Sequence, residues 1–252
     1  MVRAVIIVKS SEEIARMRRA GRIVALILDK LKREVRPGIT TRHLDAIAEA
    51  DVKRLGVRAS FKDYHGFPAS ICTSVNDEIV HGIPGDYVLK EGDIVSLDFG
   101  AIADGFHGDA GLTVPVGEVS EEARRLVETA EGALEAGIRA AHGDCRIGDI
   151  SAVIQEYVES HGFSVVREYT GHGIGRDMHE DPLVPNFGTR GQGARLPSGT
   201  TIALEPMVNA GTWKTRIAKD RWTVKTSDGS LSAYAEHTIV LTDNGAEILT
   251  AL

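Results

Sequence analysis

Apolar residues recur at helical spacing in two neighbouring segments near the start of the chain. In the first, Ser10 and Glu13 have the spacing of a capping box, and one apolar face follows: Ile14, Met17, Val24, Ile27, Leu28 and Leu31. Pro37-Gly38 ends this pattern. A second helix is predicted after Thr40-Thr41 and closes at Gly56, with an apolar face made of Leu44, Ile47, Ala48, Val52 and Leu55.

The same pair of helices is predicted again about 106 residues further along. Ser120 opens a helix with the apolar positions Leu126, Val127, Ala130, Leu134 and Ile138. Gly148-Asp149 then leads into a shorter helix that ends at Gly162. Four apolar positions of the second helix recur in it at an offset of 106, as Ile150, Val153, Ile154 and Val158.

The correspondence continues into two segments that end in a carboxylate. Residues 92–98 (GDIVSLD) match residues 199–205 (GTTIALE) at an offset of 107. Amphipathic helices resemble one another by chance, but the added carboxylate favours an internal duplication. We therefore predict a single domain over residues 1–252, built of half-repeats at about 10–115 and 116–245.

Two aspartates lie on what reads as one β-hairpin. Asp98 ends an apolar strand, Asp104-Gly105 is a turn signal, and Asp109 lies in the returning strand. With Ala103-Asp104 as the loop the two aspartates are directly opposite, whereas with Asp104-Gly105 as the loop they are diagonal neighbours. Either arrangement calls for a cation or a shared proton, unless one carboxylate faces solvent.

Five further polar residues lie at strand ends or in glycine-rich loops. Glu205 follows an apolar strand and precedes a proline, and Glu236 opens another β-prone run. His172 lies in the loop-like segment GHGIG after a predicted strand at 163–169. His81 and His179 lie in turn-rich segments. For His172, the surrounding glycines favour a ligand role more than for a lone histidine. Each of the other four residues alone is more often structural or solvated than functional.

Taken together, the acidic residues and one histidine form a plausible ligand set: Asp98, Asp109, Glu205, Glu236 and His172. Oxygen-rich sites with one imidazole suit divalent Mn, Fe, Co or Zn. Bridging carboxylates can hold two such ions roughly 3.5 Å apart. Thiolate spacing for structural zinc, a nucleophile elbow and a phosphate-binding loop are all missing from the sequence.

Composition narrows the class of protein further. The formal net charge of −7 argues against direct nucleic-acid binding. Cys72 and Cys145 are the only cysteines and do not suggest a disulfide scaffold, which fits a reducing compartment. The apolar run at residues 5–8 is too short for a signal peptide or a membrane span. We expect a soluble, cytoplasmic protein.

Several motifs closely resemble those of the type I methionine aminopeptidases of bacteria, which are M24 metallopeptidases. The matching stretches run in order over nearly the whole chain: 64–68 (YHGFP), 76–84 (NDEIVHGIP), 104–109 (DGFHGD), 171–175 (GHGIG), 202–209 (IALEPMVN) and 222–226 (WTVKT). The resemblance implies an α+β "pita-bread" fold, in which helices cover a curved antiparallel sheet and two halves are related by a pseudo-two-fold axis.

The resemblance also implies the roles of the candidate residues. It makes Asp98, Asp109, His172, Glu205 and Glu236 ligands of two divalent ions, identified only as Co, Mn, Fe or Zn. A metal-bridged hydroxide then attacks the first peptide bond, His81 and His179 stabilise the tetrahedral intermediate, and Glu205 shuttles the proton. A weaker implication is a monovalent cation near Asn76, Glu78 (through its backbone) and Ser232.

The pocket for the methionine side chain is implied by the same resemblance. Its residues would be Phe61, Tyr64, Phe67, Cys72, Met178 and Trp222, together with His81 and His179. Phe61 and Met178 depart from the family's usual pattern, in which a cysteine and a phenylalanine are common at these positions, and Ala235 replaces a residue that is often tyrosine. The fine selectivity of the pocket is thereby left open.

The expected function is removal of the initiator methionine from nascent proteins with a small second residue. The expected partners are nascent N-termini and, transiently, the ribosome, with no membrane, no specific nucleic acid and a monomeric state. Rival interpretations are a proline-directed aminopeptidase or prolidase, a non-catalytic binding protein, and a metal-free hydrolase of the same fold. The last two would be expected to have lost ligands, and the full set of five is present.

Overall fold

The structure is a computed structural model that describes residues 5–252. Its helices are α1 (Ser11–Glu34), α2 (Thr41–Leu55), α3 (Glu121–Ala140) and α4 (Ile147–Ser160). The strands of the first part are β1 (Arg58–Ala59), β2 (Cys72–Val75), β3 (Glu78–Val80), β4 (Ile94–Ala103) and β5 (Phe106–Pro115). The later strands are β6 (Ser164–Val165), β7 (Thr170–Gly173), β8 (Glu180–Pro185), β9 (Thr201–Leu204), β10 (Met207–Asn209), β11 (Thr215–Ile217), β12 (Val224–Thr226), β13 (Ser232–Tyr234), β14 (Glu236–Thr242) and β15 (Gly245–Ile248).

The predicted helix starts are confirmed to within one residue, whereas α1 ends at Glu34, three residues before the predicted stop at Pro37-Gly38. Ser10 and Glu13 form the capping box of α1, and Gly56 takes the left-handed conformation after α2. Helix α4 begins at Ile147, one residue before the predicted start, because Asp149 caps the preceding backbone N–H. It ends at Ser160, and Gly162 follows with a positive φ of 83°.

The hairpin of β4 and β5 distinguishes between the two registers that the sequence left open. Asp104 and Gly105 both have positive φ, 51° and 79°, as a type I′ turn requires. Asp98 consequently faces Gly111, and Asp109 faces Gly100. The two aspartates are therefore diagonal neighbours on one face of the sheet rather than direct partners.

One nine-stranded sheet organises the molecule, and all of its pairings are antiparallel. Its order is β1-β4-β5-β14-β9-β7-β8, with β2 also paired to β4 and β15 to β14. Two three-stranded sheets, β13-β10-β6 and β11-β12-β3, flank it. The pairing of β5 with β14 joins the strands of the first part to those of the second, and the α+β class is confirmed.

Helices cover one face of the large sheet, over two separate apolar clusters. The first cluster joins α1 and α2 to β4 and β5 through residues such as Leu28, Leu97 and Phe99. The second joins α3 and α4 to β9 and β14 through residues such as Leu134 and Ile239. Because side chains alternate along a strand, the residues between these apolar positions face the opposite side of the sheet. The half-repeats stay a prediction.

Two local predictions near His172 are wrong. The predicted strand at 163–169 is reduced to β6, because the chain there leaves the small sheet beside β10 and turns into the large one. His172 does not lie in a loop but in β7, where it pairs with Ala203 of β9. In the described part of the chain, no helix combines the length and the apolar character that crossing a membrane requires.

A tight contact between α1 and the sheet leads to the first testable prediction. A Cβ at Gly21 would overlap the carbonyl of Leu249, and a Cβ at Gly108 would lie 2.7 Å from the Gly21 nitrogen. We expect Gly21→Ala to lower the free energy of unfolding by about 1–3 kcal/mol through overpacking. The matched variant Arg22→Ala, on the exposed side of α1, should change the melting temperature little. Equal melting temperatures for both would contradict the prediction.

Candidate metal centre

Three carboxylates of the predicted ligand set lie on the sheet face that is free of helices. Asp98 in β4 and Glu236 in β14 are both register partners of Gly111 in β5, so they flank it on either side. Asp109 lies two residues before Gly111 on the same strand and thus on the same face. The strand pairing alone brings together residues that are 138 positions apart in the sequence.

Gly111 leaves room for an aromatic ring that supports the site. A Cβ at this position would overlap the ring of Tyr234, whose hydroxyl donates a hydrogen bond to Glu236 Oε2. Tyr234 is 2% exposed, and it was not among the candidate residues. Its position two residues before Glu236 is the sequence signal that could have identified it, because a side chain that near in the chain can reach the same carboxylate.

His172 and Glu205 complete the cluster from β7 and from the end of β9. His172 Nε2 lies 3.6 Å from Glu205 Oε1. His172 Nδ1 lies 2.8 Å from the carbonyl of Gly173, which can only accept, so Nδ1 carries the proton and Nε2 keeps its lone pair. Asn186, another residue that the sequence did not single out, donates to the backbone carbonyl of Glu205 at 2.9 Å.

Burial and mutual repulsion disfavour the charged forms of these acids. The pKa values of Asp98, Glu205 and Glu236 are raised well above their ordinary values, first by burial and then by the neighbouring carboxylates. Burial likewise raises the pKa of Asp109 to about 7, against hydrogen bonds that lower it. Burial lowers the pKa of His172 to about 3, so its imidazole is neutral.

The donor set fits divalent cations. Asp98 Oδ1, Asp109 Oδ1 and Glu236 Oε1 are buried and have no hydrogen-bond partner. Asp109, His172 and Glu236 each present one ligand atom, and these three atoms lie within 4.8 Å of one another. Buried oxygens without partners are costly unless a cation or a proton satisfies them. Carboxylates with one neutral imidazole are typical ligands of first-row divalent metals.

His81 and His179 lie beside this cluster. His81 follows β3 with a positive φ of 60°, and its loop is held on β2 because Thr73 N–H donates to the Gly82 carbonyl at 2.8 Å. Burial lowers the pKa of His81 to about 4 and also lowers that of His179. The His179 ring centroid lies 4.2 Å from that of His172, and His179 Nδ1 is 2.7 Å from the Tyr64 hydroxyl. Both imidazoles are therefore neutral near pH 7.

A cavity of about 640 Å³ opens over the carboxylates. All six residues that the sequence assigned to a methionine pocket line it, with the two histidines: Phe61, Tyr64, Phe67, Cys72, Met178 and Trp222. They belong to one apolar cluster, in which Phe61 and Met178 are 9% and 3% exposed. Tyr169, which the sequence reasoning missed, lies with its ring centroid 6.0 Å from that of His81.

The residues suggested for a monovalent cation also come close to one another. Asn76 has a positive φ of 56°, and its carbonyl accepts a hydrogen bond of 2.8 Å from Ser232 N–H. The Glu78 side chain accepts from Val75 N–H at 2.9 Å. The cation site itself stays a prediction.

Comparison with known proteins identifies the family. A model of metallopeptidase family M24 matches residues 15–243. The chain is 52% identical to a methionine aminopeptidase of Clostridium perfringens over 247 residues, which cover 98% of this chain and 99% of the relative. It is 51% identical to methionine aminopeptidase 1 of Bacillus subtilis over 245 residues, which cover 97% and 99%. A crystal structure of methionine aminopeptidase from Thermotoga maritima matches with a TM-score of 0.97 and 46% identity, over 98% of this chain and 100% of that one.

This chain belongs to the type I methionine aminopeptidases of family M24. The pita-bread fold that the sequence motifs implied is thereby confirmed. The family match spans all five predicted metal ligands and both histidines. The rival interpretation as a proline-directed enzyme loses its support, because the high-identity, full-length relatives are methionine aminopeptidases.

The raised pKa of Asp109 gives a pH-dependent prediction for the metal-free protein. Because the folded pKa of about 7 exceeds the ordinary value of 3.8, the folded state binds more protons between pH 4 and pH 7. This contribution to stability is present below about pH 4 and is lost as the pH rises through 7. Asp109→Asn replaces the carboxyl group by an amide that does not titrate. In the presence of a chelator, we expect the melting temperature of this variant minus that of the parent to increase from pH 4 to pH 7.

The remaining carboxylates also titrate in the variant, where the loss of the Asp109 charge makes their pKa values less raised. The difference between the two melting temperatures therefore reports Asp109 together with its coupling to these acids, and both effects have the same sign. Asp228→Asn is a matched control, because hydrogen bonds lower the pKa of that exposed aspartate to about 2 and it stays charged above pH 4. A melting-temperature difference between Asp109→Asn and the parent that does not change with pH would contradict the prediction.

Proposed function

We propose that this chain removes the N-terminal methionine from nascent proteins whose second residue is small. The observation that carries the proposal is the buried group of four carboxylates and one neutral imidazole beside an apolar cavity. Membership of the type I methionine aminopeptidases supports the reaction class.

The side chains that would hold two divalent ions are Asp98, Asp109, His172, Glu205 and Glu236. Bound there, such ions supply an activated water and polarise the scissile carbonyl. His172 offers Nε2, because Nδ1 is occupied by the Gly173 carbonyl. Tyr234 orients Glu236 by donating to its second oxygen. The identity of the ions depends on availability as much as on affinity.

Substrate selection follows from the chemistry of the cavity wall. Phe67, Cys72 and Met178 are 4%, 4% and 3% exposed and offer an apolar, sulfur-tolerant surface to a methionine side chain. Asp98 and Asp109 line the same cavity, and the free N-terminal amine, in its neutral form, would bind an ion held there. Cleavage is then confined to the first residue, and a bulky second residue would clash at the rim.

Three groups of this chain then act on the reacting atoms. His81 and His179 are neutral near pH 7 and can donate an N–H to the oxyanion that develops on the methionyl carbonyl. Glu205 has a raised pKa, so it can accept a proton from the attacking water and release it to the leaving amine. The C–N bond breaks as the amine takes that proton.

The cellular setting is part of the same proposal. The substrates are nascent N-termini, so the enzyme would work in the cytoplasm as a monomer and meet the ribosome transiently. The net charge of −7 gives no support to a nucleic-acid partner.

Peptide cleavage tests the proposed reaction. We expect the metal-loaded protein to release methionine from Met-Ala-Ser at a rate at least about tenfold above that from Met-Leu-Ser, since one clash at a pocket rim is worth a factor of this order. Treatment with a chelator should abolish both activities, and Mn, Fe, Co or Zn should restore them. If the protein cleaves neither peptide with any of these four ions, the proposal is overturned.

Substitution of His81 tests its assigned role. His81→Ala should lower kcat by about 10²-fold, because one oxyanion donor is lost, while the metal content stays that of the parent. His43→Ala removes an exposed imidazole of α2 and serves as the matched control. A kcat for His81→Ala equal to that of the control would exclude this role.

A further inference from the structure

A buried ion pair joins the N-terminal segment to the loop that carries His179. Lys9 Nζ lies 2.5 Å from Glu180 Oε2, and the two side chains are 3% and 5% exposed. Removing two charges from water carries a desolvation penalty that can exceed their mutual attraction. Such a pair is therefore weak evidence for stability, and a role in fixing one conformation is the alternative.

Glu180 closes the loop that presents Met178 and His179. Its other oxygen, Oε1, accepts hydrogen bonds from Arg176 N–H at 2.9 Å and from Asp177 N–H at 3.4 Å. A Cβ at Gly175 would lie 2.5 Å from Glu180 Oε1 and 2.5 Å from Lys9 Cε, so the pair packs directly on the start of the loop. The backbone on both sides of His179 is thus tied to one carboxylate.

Lys9 is in turn held by the segment that leads into β9. Its N–H donates to the Gly199 carbonyl at 2.9 Å, and its ammonium also donates to the Ile7 carbonyl at 3.1 Å. Val8 forms a bridge with Thr200, the residue before β9. Because Glu205 follows β9, the ion pair connects the loop of His179 to the strand that positions Glu205.

Other ties between the same segments are more exposed. Val5 N–H donates to Asp181 Oδ2 at 3.0 Å at the surface. Arg176 lies 3.1 Å from Glu13, but the two side chains are 62% and 27% exposed. Exposed pairs of this kind contribute little, because solvent screens their attraction. Lys9 is the buried cation that neutralises the buried carboxylate of Glu180.

We infer that Lys9 is a positioning residue that acts through Glu180 to set His179 against the metal centre. The inference rests on the role proposed above for His179. Without the ammonium, Glu180 would be a buried carboxylate held only by two backbone N–H groups, and the loop would reorganise to solvate it. His179 would then lose its place 4.2 Å from the His172 ring.

The test is a double-mutant cycle on Met-Ala-Ser cleavage with Lys9→Met and His179→Ala. Lys9→Met should lower kcat about 10- to 100-fold, as expected for a displaced catalytic group, with metal content and KM near those of the parent. In the His179→Ala background the same substitution should change kcat less than twofold, because it acts through the missing imidazole. Lys30→Met breaks a pair with the buried carboxylate of Asp51 and should leave kcat unchanged.

Each other result has a distinct meaning. Effects of Lys9→Met and His179→Ala that multiply would overturn the inference and leave the role of His179 intact. A normal kcat for His179→Ala alone would overturn that role and the inference with it. If circular dichroism shows that Lys9→Met does not fold, Glu180→Gln takes its place in the same cycle and must meet the same expectations.

Discussion

The structure depends on the burial of four carboxylates within reach of one another. Burial raises the pKa of each of these acids, and neighbouring carboxylates raise it further for Asp98, Glu205 and Glu236. Asp98, Asp109 and Glu236 each leave one oxygen with no protein partner. Such a group is tolerable only if protons or cations neutralise it. Metal binding is thus a condition for keeping these acids charged in the fold, as well as a source of catalytic chemistry.

The antiparallel sheet is what concentrates these acids. Pairing of β4, β5 and β14 places Asp98 and Glu236 on either side of Gly111, while the helices pack on the other face and leave this one open to the cavity. The same register makes room for Tyr234, which would collide with any side chain at position 111. A rigid sheet therefore sets the geometry of the candidate ligands, and loops bring His81 and His179 to the same cavity.

Much of the local structure could be predicted because its causes are local. The capping box at Ser10 and the glycine after α2 depend on neighbours a few residues away. The hairpin at Asp104-Gly105 was predicted as a turn, but the choice between two registers required the positive φ of both residues. The strand expected at 163–169 failed because the chain there changes sheets, and no local pattern marks such a change.

The sequence by itself determined the helices, the long hairpin, the family through its ordered motifs, and the identity of the candidate ligands. Each of these depends on residue types and on short spacings along the chain. Only the tertiary structure decided that Asn186 holds the Glu205 carbonyl and that Lys9 reaches Glu180. The physical reason is distance along the chain. Lys9 and Glu180 are 171 residues apart, so nothing near either one indicates the contact.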